Sequence, residues 1–375
     1  MGQARIPEDQ ADQAQVMDIQ GLLKLVVEKN GSDLHIRAGS PPFVRVDGKL
    51  YGVSQPPLSP ADVEAIIKSY VSPHAKAVYD AKGECDFSFE IPSLGRFRTN
   101  AYRERRRLCL AIRRIAGVPR IEDLLLPADA LRKISQERRG LVLLTGATGS
   151  GKSSTLAAMV DYVNETRSEH IITVEDPIEF VHKDKKSIIS QREIGEDTVS
   201  YADGLRMALR QDPNVILVGE MRDLETTEAA MTAALTGHLV LSTLHTTDAV
   251  QTISRIVDLY PPHQQALVRM DLGQCLKAVV SQRLLPSIKG GRVPAVEIVV
   301  VTAHVRKLIE DNNPLGIMQA CAKGEFYGMQ TFNQSLVKLC RSGLVSEADA
   351  LDAATSPDDL RLALRGIEQQ PQAAG

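Results

Sequence analysis

The segment Gly146-Ala147-Thr148-Gly149-Ser150-Gly151-Lys152-Ser153 fits the phosphate-binding pattern G-x-x-x-x-G-K-S/T. The glycines of this pattern let backbone N–H groups close around a phosphate, and the helix that follows points the positive end of its dipole at the anion. The lysine reaches the outer phosphates, and the last hydroxyl is able to ligate Mg²⁺. We therefore expect phosphate binding by residues 146–153 and Ser154, catalysis supported by Lys152, and a metal ligand at Ser153.

The elements on either side of this loop are those that the pattern requires. Residues 141–144 are an apolar run typical of buried parallel strands. After the loop, apolar residues recur at helical spacing at Leu156, Met159, Val160 and Val163. The sequence therefore predicts a strand, the phosphate loop and a helix in that order.

From Leu131 onward, strands and helices alternate in the manner of an α/β domain. In open sheets of this class, ligands bind at the carboxyl ends of the strands. Acidic and histidine residues that directly follow a strand are therefore candidate site residues. The predicted strands are 141–144, 171–174, 215–218, 239–243 and 296–301.

Carboxylates follow two of these strands. Glu175, Asp176 and Glu179 follow the second, and the third ends at Gly219 and Glu220, where an Asp is usual in place of Gly219. Glu220 is then the first acid able to hold the water shell of a metal or to orient an attacking water. The alternative is a structural role, in which Asp176 and Glu220 pair with nearby arginines.

Two histidines bracket the fourth strand, with His238 before it and His245 after it. His245 is followed by threonine hydroxyls and is the better candidate to sense a terminal phosphate. His238, at the other end of the strand, is equally well explained as a structural residue.

The residues before the phosphate loop predict a smaller mixed α+β domain over 18–116. We expect residues 1–17 to be a disordered extension, 117–130 a linker, 131–367 the second domain and 368–375 a disordered tail. The linker rests on Gly117-Val118-Pro119, which interrupts the apolar patterning. The smaller domain has predicted helices near 19–27 and 61–70 and predicted strands at 33–37, 43–46, 49–51, 85–91, 95–102 and 108–115.

The composition argues against several classes of protein. A net charge of -3 over 375 residues gives no general attraction to nucleic acid or to an anionic membrane. The five cysteines form no C-x-x-C pair, which argues against a zinc site or a disulfide framework and fits a reducing compartment. No apolar run approaches the roughly 18 residues of a membrane span. We expect a cytoplasmic protein with no nucleic acid partner and no direct membrane insertion.

Residues 96–139 carry a local basic excess, with 13 Arg or Lys residues against 5 Asp or Glu. A solvated face, nucleic acid, or the nucleotide phosphates of a neighbouring subunit would each explain this basic belt. Arg96 and Arg98 lie two residues apart on one predicted strand and so share a face, which suits a paired phosphate contact. Arg113, on the next strand, is able to join them.

These motifs together resemble the motor ATPases of secretion systems and type IV pili, and among them the pilus retraction ATPases of the PilT/PilU kind. The resemblance rests on the blocks 146–153, 175–179, 214–223 and 237–247 and covers nearly all of the chain. It implies a hexameric ring that hydrolyses ATP with Mg²⁺ and powers pilus retraction and twitching motility. Each subunit would have a PAS-like N-terminal domain and a RecA-like ATPase domain, with ATP held between them.

The resemblance also implies roles and partners. It assigns activation of water to Glu179, support of Mg²⁺ and catalysis to Glu220, and action at the γ-phosphate to arginines of the small domain, here Arg96, Arg98 and Arg113. The implied partners are the pilus platform protein of the inner membrane and a paralogous retraction ATPase. The implied location is the cytoplasmic face of that membrane.

Two segments differ from the retraction-type pattern. The family's helix motif Ala-Ile-Arg-Asn-Leu-Ile appears here as His304-Val305-Arg306-Lys307-Leu308-Ile309, and residues 357–362 are closer to the PilU type. We expect substitutions at Leu308 or Ile309 to impair motility and to spare hydrolysis. The rival functions are a pilus extension or type II secretion ATPase, whose four-cysteine element has no counterpart here, and a RecA-like DNA motor.

Overall fold

The computed structural model describes residues 18–115 and 117–366, and it divides after Gly117 into two compact units. Each unit has its own sheet and its own hydrophobic core. The extension predicted for residues 1–17 and the tail predicted for 368–375 lie outside the described residues.

The first unit combines a six-stranded antiparallel sheet with helices. Its elements are α1 (Ile19–Glu28), β1 (Asp33–Arg37), β2 (Phe43–Val46), β3 (Lys49–Gly52), α2 (Pro60–Tyr70), α3 (Pro73–Lys82), β4 (Cys85–Ile91), β5 (Gly95–Glu104) and β6 (Arg107–Arg114). The strands lie in the order β3-β2-β1-β6-β5-β4. Along β5, Phe97 and Thr99 are buried, which sends Arg96 and Arg98 to the opposite face.

Local capping explains where these helices begin and end. The Asp18 carboxylate accepts a hydrogen bond from the Gly21 N–H at 2.8 Å at the start of α1, and a capping box formed by Ser59 and Asp62 starts α2. The sequence patterning does not predict α3, because its residues form only a weak apolar stripe. It is defined instead by its caps, including Gly83 in the left-handed conformation.

The second unit has a seven-stranded sheet with helices on both faces. Its elements are a 3₁₀ helix (Ile121–Leu124), α4 (Ala128–Ser135), β7 (Gly140–Thr145), α5 (Lys152–Thr166), β8 (His170–Glu175), β9 (Ile188–Glu193), α6 (Tyr201–Ala208), β10 (Val215–Val218), α7 (Leu224–Leu235), β11 (Leu239–Leu244), α8 (Ala249–Asp258), α9 (Gln265–Cys275), β12 (Leu276–Pro286), β13 (Arg292–Val300), α10 (Ala303–Glu310), α11 (Pro314–Lys323), a second 3₁₀ helix (Glu325–Tyr327), α12 (Phe332–Arg341), α13 (Glu347–Ala353) and α14 (Pro357–Leu364). The strands lie in the order β13-β12-β7-β11-β10-β8-β9, and all neighbouring pairs are parallel except β12 and β13.

The central strand β7 is buried on both faces. Leu141 and Leu143 pack in one core, while Val142 and Leu144 pack in the core on the other side of the sheet. Two-sided burial explains why β7 reads as an unbroken apolar run. The mixed α/β class predicted from the sequence is confirmed.

The structure differs from the sequence prediction in three further places, all after residue 116. The strand β9 is missed because its residues are mostly polar, and β12 is missed because it follows α9 without an intervening loop. The predicted linker 117–130 is too long. Ile121 is 2% exposed in the core of the second unit, and α4 has begun by Ala128, so only the residues before Ile121 can serve as linker.

The last helices, α12 to α14, close a smaller core against the ends of β12 and β13. Phe332, Leu336 and Leu360 are its fully buried centre. Within residues 18–115 and 117–366, none of the helices combines the length and the apolar character that crossing a membrane takes.

Candidate nucleotide-binding site

The phosphate loop lies between β7 and α5, as the sequence predicts. Gly146, Gly149 and Gly151 have φ angles of 139°, 77° and 95°, which residues with a Cβ rarely adopt. Gly146 is also closely packed, because a Cβ there would lie 2.4 Å from the carbonyl oxygen of Gln282 on β12. The loop therefore needs glycine for its conformation and, at Gly146, for its contact with the neighbouring strand.

Lys152 turns its ammonium group back into this loop. The residue is 8% exposed, and its Nζ donates to the carbonyl oxygens of Gly146 at 2.8 Å and Ala147 at 3.0 Å. Burial lowers the pKa of the ammonium, and the carboxylates of Glu220 and Glu179 oppose that shift. The loop lysine and two of the predicted catalytic carboxylates therefore share one electrostatic site.

The loop has polar groups suited to binding a phosphate. The Ser150 hydroxyl is buried and has no hydrogen-bond partner in the described part of the chain, while residues 147–149 are exposed. A phosphate here would give Ser150 an acceptor and Lys152 a counter-charge. The residues present therefore fit a nucleotide phosphate, with Ser153 and Ser154 following in the first turn of α5.

Side chains of β12 support the loop from one side. The Gln282 amide donates to Thr155 Oγ1 at 2.9 Å, and Thr145 Oγ1 donates to Ser281 Oγ at 2.9 Å. All four residues are buried. Sequence reasoning misses these supports, because they lie on a strand that the patterning does not reveal.

Parallel pairing brings the ends of four strands to one edge of the sheet. Val218 at the end of β10 lies beside Val174 of β8 and Ser242 of β11, and β11 in turn pairs with β7. The residues that follow these strands meet at this edge. They are the phosphate loop, the segment 175–179, Glu220 and His245.

Glu220 is held from two sides at this edge. Its Oε2 lies 2.7 Å from Arg222 Nε, and its Oε1 lies 3.0 Å from His245 Nε2. The Glu220 side chain is 13% exposed, against 71% for Arg222. The arginine pairing that the sequence offered as an alternative is therefore present at Glu220, and the contact between Glu220 and His245 is an addition from the structure.

His238 lies at the opposite end of β11. Its Nδ1 and its backbone N–H both approach the carbonyl oxygen of Ala233, at 3.0 and 3.1 Å. This residue closes the end of α7, which agrees with the structural interpretation.

The carboxylates after β8 have two different environments. Glu175 accepts hydrogen bonds from Thr173 Oγ1 at 2.6 Å and Gln191 Nε2 at 3.2 Å, and burial raises the pKa of its carboxyl. Asp176 and Glu179 are exposed. The exposed pair is the one that a substrate or a water molecule can reach.

Tyr201 is a residue of this edge that sequence reasoning misses. It begins α6, and its hydroxyl would lie 2.9 Å from a Cβ built on Gly219. Position 219, where Asp is usual, has no side chain here, and this makes room for the tyrosine ring. The glycine is the one feature of the sequence that could have indicated a residue packed at this position. Burial raises the pKa of Tyr201, and the carboxylates of Asp176 and Glu220 add to this. The hydroxyl consequently stays protonated, as a donor among carboxylates.

Three arginines of the first unit lie on its neighbouring strands β5 and β6. Arg98 is directly opposite Arg113 on β6, and Arg113 is opposite Asp33 on β1. Arg113 Nε pairs with Asp33 Oδ1 at 2.9 Å. Burial raises the pKa of Asp33, but hydrogen bonds from Ser32 and Arg113 outweigh it and hold the pKa below its usual value. The shared face predicted for Arg96 and Arg98 is confirmed, and Arg113 belongs in addition to an ion pair.

No group of three or more His, Cys, Asp or Glu side chains within 18–115 and 117–366 could hold a metal ion. A metal ion at the loop would therefore depend on the nucleotide phosphates as ligands. Ser153 is exposed at the start of α5 and Glu220 lies near Lys152, so both fit this shared arrangement.

Comparison with known proteins gives a consistent result. Residues 120–290 match the family model described as type II/IV secretion system protein. The type IV pilus retraction ATPase PilT of Pseudomonas aeruginosa is 45% identical over 343 residues, which are 92% of this chain and 100% of PilT. A twitching motility protein of Neisseria gonorrhoeae is 46% identical over 321 residues, which are 85% of this chain and 86% of that protein. The crystal structure of the pilus retraction motor PilT with bound ADP gives a TM-score of 0.86 at 46% identity, covering 92% of this chain and 99% of that one.

Replacing Tyr201 with Phe tests whether its hydroxyl contributes to this edge. The ring packing against Gly219 is kept and one donor beside Asp176 and Glu220 is lost. We expect kcat for ATP hydrolysis to fall about five- to tenfold, the equivalent of one hydrogen bond, with KM changed less than about twofold. Tyr260→Phe is the matched control, because that hydroxyl faces the Met231 sulfur at 3.9 Å. Equal kcat for wild type and Tyr201→Phe would remove the hydroxyl from the reaction.

Proposed function

The chain belongs to the family of type IV pilus retraction ATPases, within the type II/IV secretion system proteins, and on that premise we propose that it is the motor that retracts a type IV pilus. It hydrolyses ATP, and the energy released powers retraction and twitching motility. The observation that carries this conclusion is the identity of 45% with PilT over 92% of the chain, which spans both units. The phosphate loop, Lys152 and Glu220 at one sheet edge supply the chemistry.

We infer that ATP replaces contacts that the loop makes with itself. The Lys152 ammonium, which two loop carbonyls hold, would turn to the outer phosphates, since an anion stabilises it more than carbonyl dipoles do. Ser150 would gain a hydrogen-bond partner. When bound with ATP, Mg²⁺ neutralises phosphate charge, and Ser153 and Glu220 are the residues that would hold it.

The two catalytic carboxylates have different surroundings and, in this proposal, different roles. Glu179 is exposed and close enough to Lys152 to affect the pKa of the lysine, so we propose that Glu179 accepts the proton of the attacking water. Glu220 is fixed by Arg222 and His245, so we propose that Glu220 orients the water shell of the metal. His245 would sense the γ-phosphate through this contact with Glu220.

Amide substitutions test these roles. Glu179→Gln and Glu220→Gln keep the side-chain shape, but an amide cannot accept a proton and holds Mg²⁺ less well than a carboxylate does, so we expect ATP binding to persist and hydrolysis to slow by about 10²-fold or more. Glu225→Gln is the matched control, because Glu225 is exposed on α7 and pairs with Arg206. The measurements are fluorescent-nucleotide binding and phosphate release. Turnover near wild type for either variant would remove that residue from catalysis.

We further propose the larger assembly that family membership suggests. Six chains would form a ring, in which the first unit is a PAS-like domain over residues 18–116 and the second a RecA-like domain. The parallel sheet and the order β7, phosphate loop, α5 support the RecA-like assignment. The ring would act at the cytoplasmic face of the inner membrane on the pilus platform protein, with a paralogous retraction ATPase as a further partner.

Gene deletion separates retraction from the rival functions. Loss of a retraction motor should leave abundant surface pili and no twitching, whereas loss of an extension motor should leave no pili, and loss of a DNA motor should change neither. The wild-type gene should restore twitching. Lys152→Ala should not restore it, because no other loop residue offers a strongly hydrated charge to the outer phosphates. Cells without surface pili after the deletion would contradict the retraction assignment.

Arg96, Arg98 and Arg113 stay a prediction as arginines that act on the γ-phosphate in the assembled ring. An arginine that stabilises the negative charge developing on the γ-phosphate contributes about 10³-fold or more in rate. Each Arg→Ala variant should therefore lower kcat far more than it lowers the affinity for ATP. Asp33→Asn controls for the ion pair at Arg113, because it removes the pair and keeps the arginine. Unchanged kcat in all three arginine variants would make this face a solvated surface, and loss of hexamers would reassign it to assembly.

A further inference from the structure

A cavity of about 420 Å³ lies at the end of β7 that is remote from the phosphate loop. It is lined by Lys133, Gln136, Glu137, Arg138, Arg139 and Lys277, which supply four cations and one acid. Strands rise about 3.3 Å per residue, so β7 separates this basic cavity from the loop by about 20 Å. None of its residues has a role in the function proposed above.

The cations of the basic cavity are poorly neutralised by the protein. Within the described residues, Lys133, Arg138 and Arg139 have no acidic partner, and Lys277 reaches Glu137 only at 3.9 Å. Arg132, in the same basic belt of the sequence, is by contrast paired with two carboxylates. Gathering like charges around one cavity raises the free energy of the protein, and a bound anion relieves that repulsion.

The Lys277 stem and the backbone of the turn before β7 are held by contacts within the second unit. A Cβ at Gly140 would lie 2.6 Å from Lys277 Cγ, so the lysine stem packs on bare backbone and its side chain is only 29% exposed. Arg167 Nη1 donates to the carbonyl oxygens of Ser135 at 3.3 Å and Glu137 at 2.9 Å, which anchors the turn that carries Arg138 and Arg139. Because the backbone that carries Arg138 and Arg139 is anchored, binding of a ligand does not require the turn itself to become ordered.

We propose that the basic cavity binds a small ligand that carries two phosphate groups, at a site separate from the ATP site. Arg138 and Arg139 offer planar forks that suit bidentate phosphate contacts, and Lys133 and Lys277 add point charges. Four cations and one acid leave an excess of three positive charges, which matches a diphosphate better than a single phosphate. The volume falls within the range of about 300–1,000 Å³ of small-ligand pockets. A soluble diphosphate ester and the head group of a phospholipid with two phosphates, such as cardiolipin, share this chemistry.

Calorimetric titration with inorganic pyrophosphate tests the site in the full-length protein. The protein is first saturated with ADP in magnesium-free buffer, so that the phosphate loop is occupied. We expect one pyrophosphate bound per chain, and at least about 30-fold weaker binding by the double variant Arg138→Gln/Arg139→Gln. The matched control is Arg255→Gln/Arg292→Gln, which removes two exposed charges elsewhere on the second unit and should change the affinity less than about twofold.

Three results would overturn the proposal. The first is that the wild-type protein binds no pyrophosphate, and the second is that both double variants weaken binding equally, which would reduce the effect to overall charge. The third is that Arg138→Gln/Arg139→Gln changes the number of subunits in light scattering, which would make the cavity a contact between chains. Unchanged ADP affinity in both variants confirms that the ATP site is unaffected, so a failure here leaves the motor assignment standing.

Vesicle sedimentation then identifies the source of the phosphate. Wild type and Arg138→Gln/Arg139→Gln are compared on vesicles that contain cardiolipin, whose head group carries two phosphates, and on phosphatidylcholine vesicles. Preferential binding of wild type to the cardiolipin vesicles, lost in the variant, would assign the site to a lipid head group. Equal sedimentation of both proteins, with pyrophosphate binding lost in the variant, would assign it to a soluble phosphate ester.

Discussion

The reactive edge of the second unit depends on the parallel register of β7, β11, β10 and β8. Val218 lies beside Ser242 on one side and Val174 on the other, and side chains buried on both faces of the sheet hold these pairings. Two hydroxyls lock the register further, because Ser242 and Thr243 donate at 2.7 Å to the carbonyl oxygens of Val218 and Gly219. A slip of one residue would send every core side chain to the wrong face. The chemistry at the edge is therefore a consequence of the packing beneath it.

The charges at that edge are mutually dependent. Burial alone disfavours the charged form of Lys152, and the carboxylates of Glu220 and Glu179 offset part of that penalty. Glu220 is in turn held by Arg222 and His245. Removing one charge changes the environment of the others, so the effects of paired substitutions in this network will not add. The loop, the acids and the histidine form one electrostatic unit rather than a set of independent contacts.

The parts of this site that the sequence predicts are those whose physics is local. The phosphate loop needs glycines at fixed positions, and Gly146, Gly149 and Gly151 all adopt the positive φ angles that the pattern requires. The positions of Glu220 and His245 follow from strand ends, because parallel strands finish at the same edge. Residues 171–174 and 215–218 are identifiable as strands, since burial on both faces makes all of them apolar except Thr173.

The parts that the sequence does not predict depend on contacts between distant segments. Gln282 supports the loop from a strand that follows a helix directly, so neither a turn nor a change of spacing marks its start. Tyr201 reaches the site only because residue 219 lacks a side chain, which is a fact about two segments together. The predicted linker is too long for the same reason, because the burial of Ile121 depends on a core that its own neighbours in the sequence do not reveal.

The burial of residues on helix α10 decides which substitutions there can test a role in retraction. Ile309 is 1% exposed and packs in the main core, so Ile309→Ala would remove buried methyl groups at a cost of about 2–5 kcal/mol. The expectation that this substitution spares hydrolysis stays a prediction, and a joint loss of hydrolysis and motility would show that Ile309 only supports the core. Leu308 is only partly buried, yet a Cβ on Gly316 would lie 2.6 Å from its side chain, so it too is a packing residue. Arg306 is exposed on the same helix, and substitution there is the change that can separate a surface used in retraction from one that merely completes the core.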